Sequence, residues 1–253
     1  MQRRIRLALL PMACLLGLSA ADRSAQAGLV SFFGQDFVNG VQATPRPNSN
    51  AAQANFLANL TGVGTENFEA FATGATAPLT LTFVGAGTAA LTGAGSINDT
   101  PNSGAFATSG SKYFFTSNAA GNEFTVTFNA NRSAFGFFAT DVGDFGTQLS
   151  LQLTNAANVM TTINVPHAVG SGGNINGNVF FYGIIAQTAA DDFKTIKFTS
   201  TTGVTDSFGF DDMTVGAREQ VSLVPEPTTL VSAAFAGVVV GLGYLRRRRP
   251  STD

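Results

Sequence analysis

E-F-T-V-T-F-N-A-N-R-S-A-F-G-F-F-A-T, from Glu123 to Thr140, decides the fold. Phe124, Val126 and Phe128 alternate with Glu123, Thr125 and Thr127, the period of two that gives a strand one apolar and one wet face. Asn129-Ala-Asn131 supplies turn chemistry. A second strand is then predicted over 134 to 140, and its Phe137-Phe138 pair reads as a strand lying between two apolar layers.

The same alternation recurs on both sides. Leu79, Leu81 and Phe83 alternate with Thr80 and Thr82; Leu149, Leu151 and Leu153 with Ser150, Gln152 and Thr154; Ile196 and Phe198 with Thr195 and Lys197. Further strands are predicted over about 67 to 72, 111 to 116, 159 to 165, 178 to 185 and 206 to 215. The pairs Phe114-Phe115 and Phe180-Phe181 read as core. Asn155-Ala-Ala-Asn158 and the Gly- and Asn-rich run His167 to Asn178 separate strands. Ten or so short strands so spaced predict an all-β fold, an antiparallel β-sandwich of jelly-roll type. One short N-terminal helix is expected from Asn50 to Leu60, capped by Ser49 or Asn50, with Phe56, Leu57 and Leu60 on one side. Thr44-Pro45-Arg46-Pro47 before it reads as an extended surface segment.

Composition agrees. Charged residues make up 12% of the 253, against about 25% in an average domain, which excludes coiled coils and helical bundles. With 44% apolar residues, disorder is excluded as well. Between Gly28 and Leu223, six basic residues stand against thirteen acidic ones, and the other eight of the fourteen Lys and Arg lie toward the chain ends. A nucleic-acid partner is therefore not expected, because phosphate binding needs clustered cations.

Both ends read as sorting signals. Residues 1 to 27 have a basic start (Arg3, Arg4, Arg6), an apolar stretch and Ala25-Gln26-Ala27 before Gly28, the pattern of a secretory signal peptide cut after Ala27. The only cysteine, Cys14, falls inside it, so residues 28 to 223, the expected single domain, hold no disulfide, thiolate metal site or cysteine nucleophile. Residues 224 to 253 contain Pro225-Glu226-Pro227, an apolar segment from about Thr228 to Leu245, and Arg246, Arg247, Arg248 and Arg249. An 18-residue helix rises about 27 Å, enough to span a thin hydrocarbon core. The arginines would stay on the cytoplasmic side.

This order of parts resembles the PEP-CTERM protein-sorting signal of Gram-negative bacteria. The resemblance implies recognition by an exosortase, an inner-membrane anchor before processing, and then a place on the cell surface or in an exopolysaccharide and biofilm matrix. Three further segments, Asn67-Phe68-Glu69, Phe135 to Gly146 and Asp206 to Val215, look like the extracellular domain attached to such tails, itself similar to jelly-roll carbohydrate-binding modules. That resemblance implies a structural calcium held by an acidic residue of the first strand and an Asp of the last, here Glu69 and Asp211 or Asp212. Oxygen ligands suit calcium. Adjacent Asp211 and Asp212 are expected on opposite faces of their strand, one of them in solvent. Asp141-Val142-Gly143-Asp144 is a separate acidic loop, readable as ligand or as turn.

Enzyme chemistry finds few residues. His167 is the only histidine and is expected as a surface imidazole. Glu66-Asn-Phe-Glu69 lacks the central Asp of a jelly-roll glycosidase motif, and Gly85-Ala-Gly87 and Gly93-Ala-Gly95 lack the remainder of a phosphate loop. The chain has no Trp to stack on sugars. The expectation is a non-enzymatic, exported surface or matrix protein; the alternative is a carbohydrate-binding module using polar loops such as His167 to Asn178.

Overall fold

Alternating apolar side chains bury a strand on one face only, so the sheets they build must pair face to face. The computed structural model describes residues 25–26, 28–38, 45–117, 123–201 and 206–222. Chain order is β1 (Ala25–Gln26), β2 (Leu29–Phe37), α1 (Pro47–Leu57), β3 (Gly64–Glu66), β4 (Leu79–Phe83), β5 (Gly87–Gly93), β6 (Ser96–Asn98) and β7 (Tyr113–Ser117). There follow β8 (Phe124–Arg132), β9 (Ala134–Thr140), β10 (Leu149–Asn155), β11 (Met160–Asn164), β12 (Asn178–Ala186), β13 (Phe193–Ser200) and β14 (Ser207–Gly216). One sheet runs β1-β2-β12-β9-β14-β7-β6, with β3 also on β14; the other runs β11-β10-β13-β8-β5-β4. Every pairing is antiparallel. The result is a β-sandwich.

Aromatic rings fill the space between the sheets. Phe124 of β8 stacks on Phe198 of β13 at 4.2 Å, and Phe137 of β9 and Phe210 of β14 meet Phe198 edge-on at 5.1 and 5.2 Å. Rings crossing at steep angles satisfy their quadrupoles while excluding water. The alternation in β8 behaves as expected, with Phe124, Val126 and Phe128 buried. β9 and β12 are buried at every position, because α1 covers their outer face through Phe56, which packs with Phe32, Phe138 and Phe181 in a second core.

Several expectations need correction. The helix begins at Pro47, not Asn50, and neither Ser49 nor Asn50 caps it. Its exposed N–H groups are satisfied from β2 instead: the Asp36 carboxylate accepts from the Asn48 and Ser49 amides at 3.1 and 2.8 Å and from Ser49 Oγ at 2.8 Å. Pro47 is thus helical, and Arg46 is half-buried, its guanidinium 5.4 Å from the Phe138 ring. No strand spans 67 to 72: the strand is β3, and Phe68 turns out of it at φ 59°. Asp211 and Asp212 do not divide between core and solvent, being 1% and 9% exposed. A bulge shifts the β14 register between Asp211 and Thr214, and Asp212 sits at φ 48°, so the strict alternation of side chains fails there.

The described chain closes on itself at its end, where Ser222 N donates to Asn59 O and Val221 bridges Leu60. Among the described residues no helix is long and apolar enough to cross a membrane. Most of the leader with Cys14, Ala27, the Thr44 of the pre-helical segment, Pro225, Glu226, Pro227, the expected C-terminal span and Arg246 to Arg249 lie outside the described residues. Ala25 and Gln26 form β1 on β2, so a cut after Ala27 would remove β1 and leave β2 as the sheet edge.

Phe56 depends on two glycines. Gly136 of β9 and Gly183 of β12 are register partners, and a Cβ on either would lie within 2.8 Å of the Phe56 ring. Gly183→Ala should therefore lower stability by about 1 to 3 kcal/mol through overpacking, visible as a drop of several degrees in the thermal melt. An unchanged melt would contradict the tight seat.

Candidate functional site

The antiparallel pairing of β9 with β14 brings the exit of one and the entry of the other to the same end of the sandwich. Thr140 faces Gly209 in that register, so Asp141 leaves β9 beside the point where Asp206 leads into β14. Asp141 turns the chain at φ 64°, and Gly143 and Gly146 follow at φ 96° and 85°, a left-handed path that folds the acidic loop back over the sheet end. One carboxylate oxygen each from Asp141, Asp144 and Asp206 then lie within 4.8 Å of one another, all three residues buried.

The run His167 to Asn178 closes over this loop. Gly170 and Gly173 amides donate to Gly143 O and Asp144 O at 2.8 and 3.0 Å, and Asn178 Nδ2 donates to Val142 O at 3.0 Å. Individual carboxylates also receive amides: Gly177 N reaches Asp141 Oδ1 at 2.6 Å, Ser207 N reaches Asp206 Oδ1 at 2.8 Å, and Gly143 N reaches Asp206 Oδ2 at 3.3 Å. Asp144 is 2% exposed; its carboxylate is hydrogen-bonded with Asp206 and with the Asp144 and Phe145 amides, while its Oδ1 has no donor. Burial pushes Asp141 up to about 7, and burial with the Asp144 charge pushes Asp206 up to about 8. Chemically, such a cluster either shares protons or takes up a cation.

His167 belongs to this scaffold and is not the surface imidazole expected from its Gly-rich surroundings. It is buried, its ring stacked parallel to Phe180 at 5.4 Å. Nε2 accepts from Leu149 N at 2.9 Å, which leaves Nδ1 to donate to Ala168 O at 2.8 Å. Burial lowers its pKa, so both nitrogens are engaged by a neutral ring.

Glu69, Asp211 and Asp212 are placed differently. Glu69 follows β3 and accepts from the Ser111 and Lys112 amides at 2.7 and 2.6 Å; burial works against its charge, but these donors hold it below the usual carboxylate range. Asp211 Oδ2 accepts from Thr108 N and Ser109 N at 2.7 and 3.0 Å, and Asp212 Oδ1 from Ser109 Oγ at 2.6 Å. The loop 108 to 112 thus serves both sets of carboxylates. Among the described residues the group close enough to share an ion is the Asp141 set, and Glu69 does not join Asp211 and Asp212 in another. Burial, then the Asp212 charge, pushes Asp211 up to about 8. The Arg46 guanidinium donates to Thr108 O and faces the same pair, burial lowering its pKa while Asp212, Asp211 and Asp36 raise it.

Sequence reasoning singled out Asp141 and Asp144 but not Asp206 as their partner, nor Asp36 and Glu66. Glu66 is a buried staple, accepting from Phe68 N at 2.8 Å and Thr82 N at 3.0 Å. Asp206 was findable: once β9 and β14 are taken as neighbours, the residues just outside them must meet.

Raised carboxylate pKa values mean that the folded domain binds more protons than the unfolded chain between about pH 4 and 8, so stability falls as pH rises. His167, held neutral, works the other way only up to its unfolded value of about 6.5. In EDTA, melting temperature should therefore fall between about pH 6.5 and 8; a melt rising or flat over that window would contradict the buried carboxylates.

No protein-family model matches the chain, and no curated protein matches its sequence. Solved structures give distant likenesses in chain course. A DUF4465 family protein from Bacteroides caccae is 13% identical, with a TM-score of 0.43, over 62% of this chain and 100% of that one. The K2 cleaved adhesin domain of Lys-gingipain is 13% identical, with a TM-score of 0.37, over 60% and 97%. The CBM22-1 xylan-binding domain from Paenibacillus barcinonensis is 9% identical, with a TM-score of 0.34, over 53% and 87%.

Proposed function

We propose that this is an exported, non-enzymatic protein of the cell surface or exopolysaccharide matrix of a Gram-negative bacterium, sorted by a PEP-CTERM and exosortase system and carrying a jelly-roll-like sandwich as its working domain. The observation that carries this reading is the tail: Pro225-Glu226-Pro227, an apolar segment of spanning length and Arg246 to Arg249 stand in series. They follow closely on Ser222, the last described residue, which is hydrogen-bonded into the domain. The non-enzymatic part is supported by the open concavities. One of about 220 Å³, between Leu153, Val159 and Phe193, has Asp191 as its single carboxylate, whereas hydrolysis of a glycosidic bond takes two.

Mass spectrometry of the mature surface protein tests the sorting. The chain should begin at Gly28 and end near Val224 to Pro227. Recovery of Arg246 to Arg249 on the surface form would leave a plain membrane anchor instead.

A second reading, glycan recognition by the polar loops, is favoured by one feature of the site end. Phe145 and Val169 are 40% and 48% exposed there, beside the exposed Ser171, Asn174 and Asn176. An apolar ring with amide groups around it is the usual makeup of a shallow sugar contact. On a glycan array, binding that Phe145→Ala reduces at least tenfold would establish this reading, and an array without signal would leave the adhesive or structural role.

A further inference from the structure

Among the described residues, the cations that form ion pairs are Lys197 with Glu123 and Arg218 with Asp192, and neither pair touches the cluster at the end of β9. Three carboxylates there share a space under 4.8 Å across, at the surface of an apolar core that includes Val142 and Phe180. Such crowding of like charge is unfavourable unless protons are shared or a counter-charge enters. Independently of the crowding, Asp144 Oδ1 is buried with no donor, an acceptor that the protein itself leaves unsatisfied. Asn176 of the second loop sets its side-chain oxygen beside Asp141. A Cβ on Gly104 would lie 2.2 Å from Asp141 Oδ1 and 2.0 Å from Asn176 Oδ1, so these two oxygens are close neighbours under the loop that carries Gly104.

We infer that Asp141, Asp144 and Asp206 form a calcium site, separate from Glu69, Asp211 and Asp212, that ties the acidic loop after β9 to the His167 to Asn178 run. The donor set is all oxygen, since both nitrogens of the only histidine are already engaged. Hard oxygens select calcium or magnesium over zinc or copper. Calcium is favoured between these two because it accepts irregular sets of 6 to 8 oxygens supplied by loops, whereas magnesium demands a near-ideal octahedron and keeps its water. A divalent ion converts the repulsion among the carboxylates into attraction and gives the buried Asp144 carboxylate a counter-charge. Because Asp144 O and Gly143 O receive the Gly173 and Gly170 amides, an ion fixed on this loop also fixes the second loop. The inference stands apart from the sorting proposal, whose test reads the chain ends.

The test uses the full chain in detergent, stripped with EDTA and dialysed. Calcium chloride and magnesium chloride are titrated calorimetrically, and thermal melts are recorded in EDTA, calcium and magnesium. Calcium should bind saturably and, at a hundredfold above Kd, raise the melt by about 5 to 10 °C; magnesium should do less. Asp144→Asn should melt at or above the native protein in EDTA, since one repelling charge is gone, and should lose most of the calcium response. Glu69→Gln should keep it. No heat and no shift in millimolar calcium would overturn the site, as would a response kept by Asp144→Asn and lost by Glu69→Gln. Should Asp144→Asn fail to fold, Asp206→Asn is read in the same way.

Discussion

The constraint on which the other features depend is that β9 and β12, in the middle of one sheet, are buried on both faces. β9 and β12 have no position open to water, so each face needs a cover. The second sheet covers one through the Phe124, Phe198, Phe137 and Phe210 rings. Helix α1 covers the other by laying Phe56 over Gly136 and Gly183. Once both faces are closed, the buried acids of this sheet fall at strand ends and at the bulge of β14.

These two places carry the buried acids. At the bulge, Asp211 and Asp212 are met by Thr108, Ser109 and the facing Arg46; their charge is answered by donors that the fold provides. At the end of β9 it is answered only in part: all three carboxylates receive backbone amides, but Asp144 Oδ1 has no donor. That difference is why the β9 end is read as a cation site and the bulge as structural hydrogen bonding. It also places the calcium chemistry at the loops where Phe145 and Val169 are exposed, so any ligand contact made there would share the rigidity that a bound ion confers.

Much of the sandwich was legible in the sequence because a period of two in β4, β8 and β10 leaves no other reading. What failed were features set by contacts distant in the chain. The helix start was misplaced because its cap is Asp36, a residue of β2 and not of the helix itself. His167 was read as exposed from its Gly-rich neighbours, whereas Phe180 and Leu149, brought in by other strands, bury it. Asp211 and Asp212 were assigned to opposite faces because a bulge has no sequence signature of its own. The acidic loop was noticed, yet its third member lies more than sixty residues away and meets it only through antiparallel register.

The central claim, that a cation completes the buried acid cluster, is tested most directly by diffraction. Crystals grown in calcium and measured at long wavelength should show an anomalous peak with oxygens of Asp141, Asp144 and Asp206 at about 2.3 to 2.6 Å. A map in which those oxygens face only one another and solvent, with Asp144 Oδ1 still bare at saturating calcium, would contradict it.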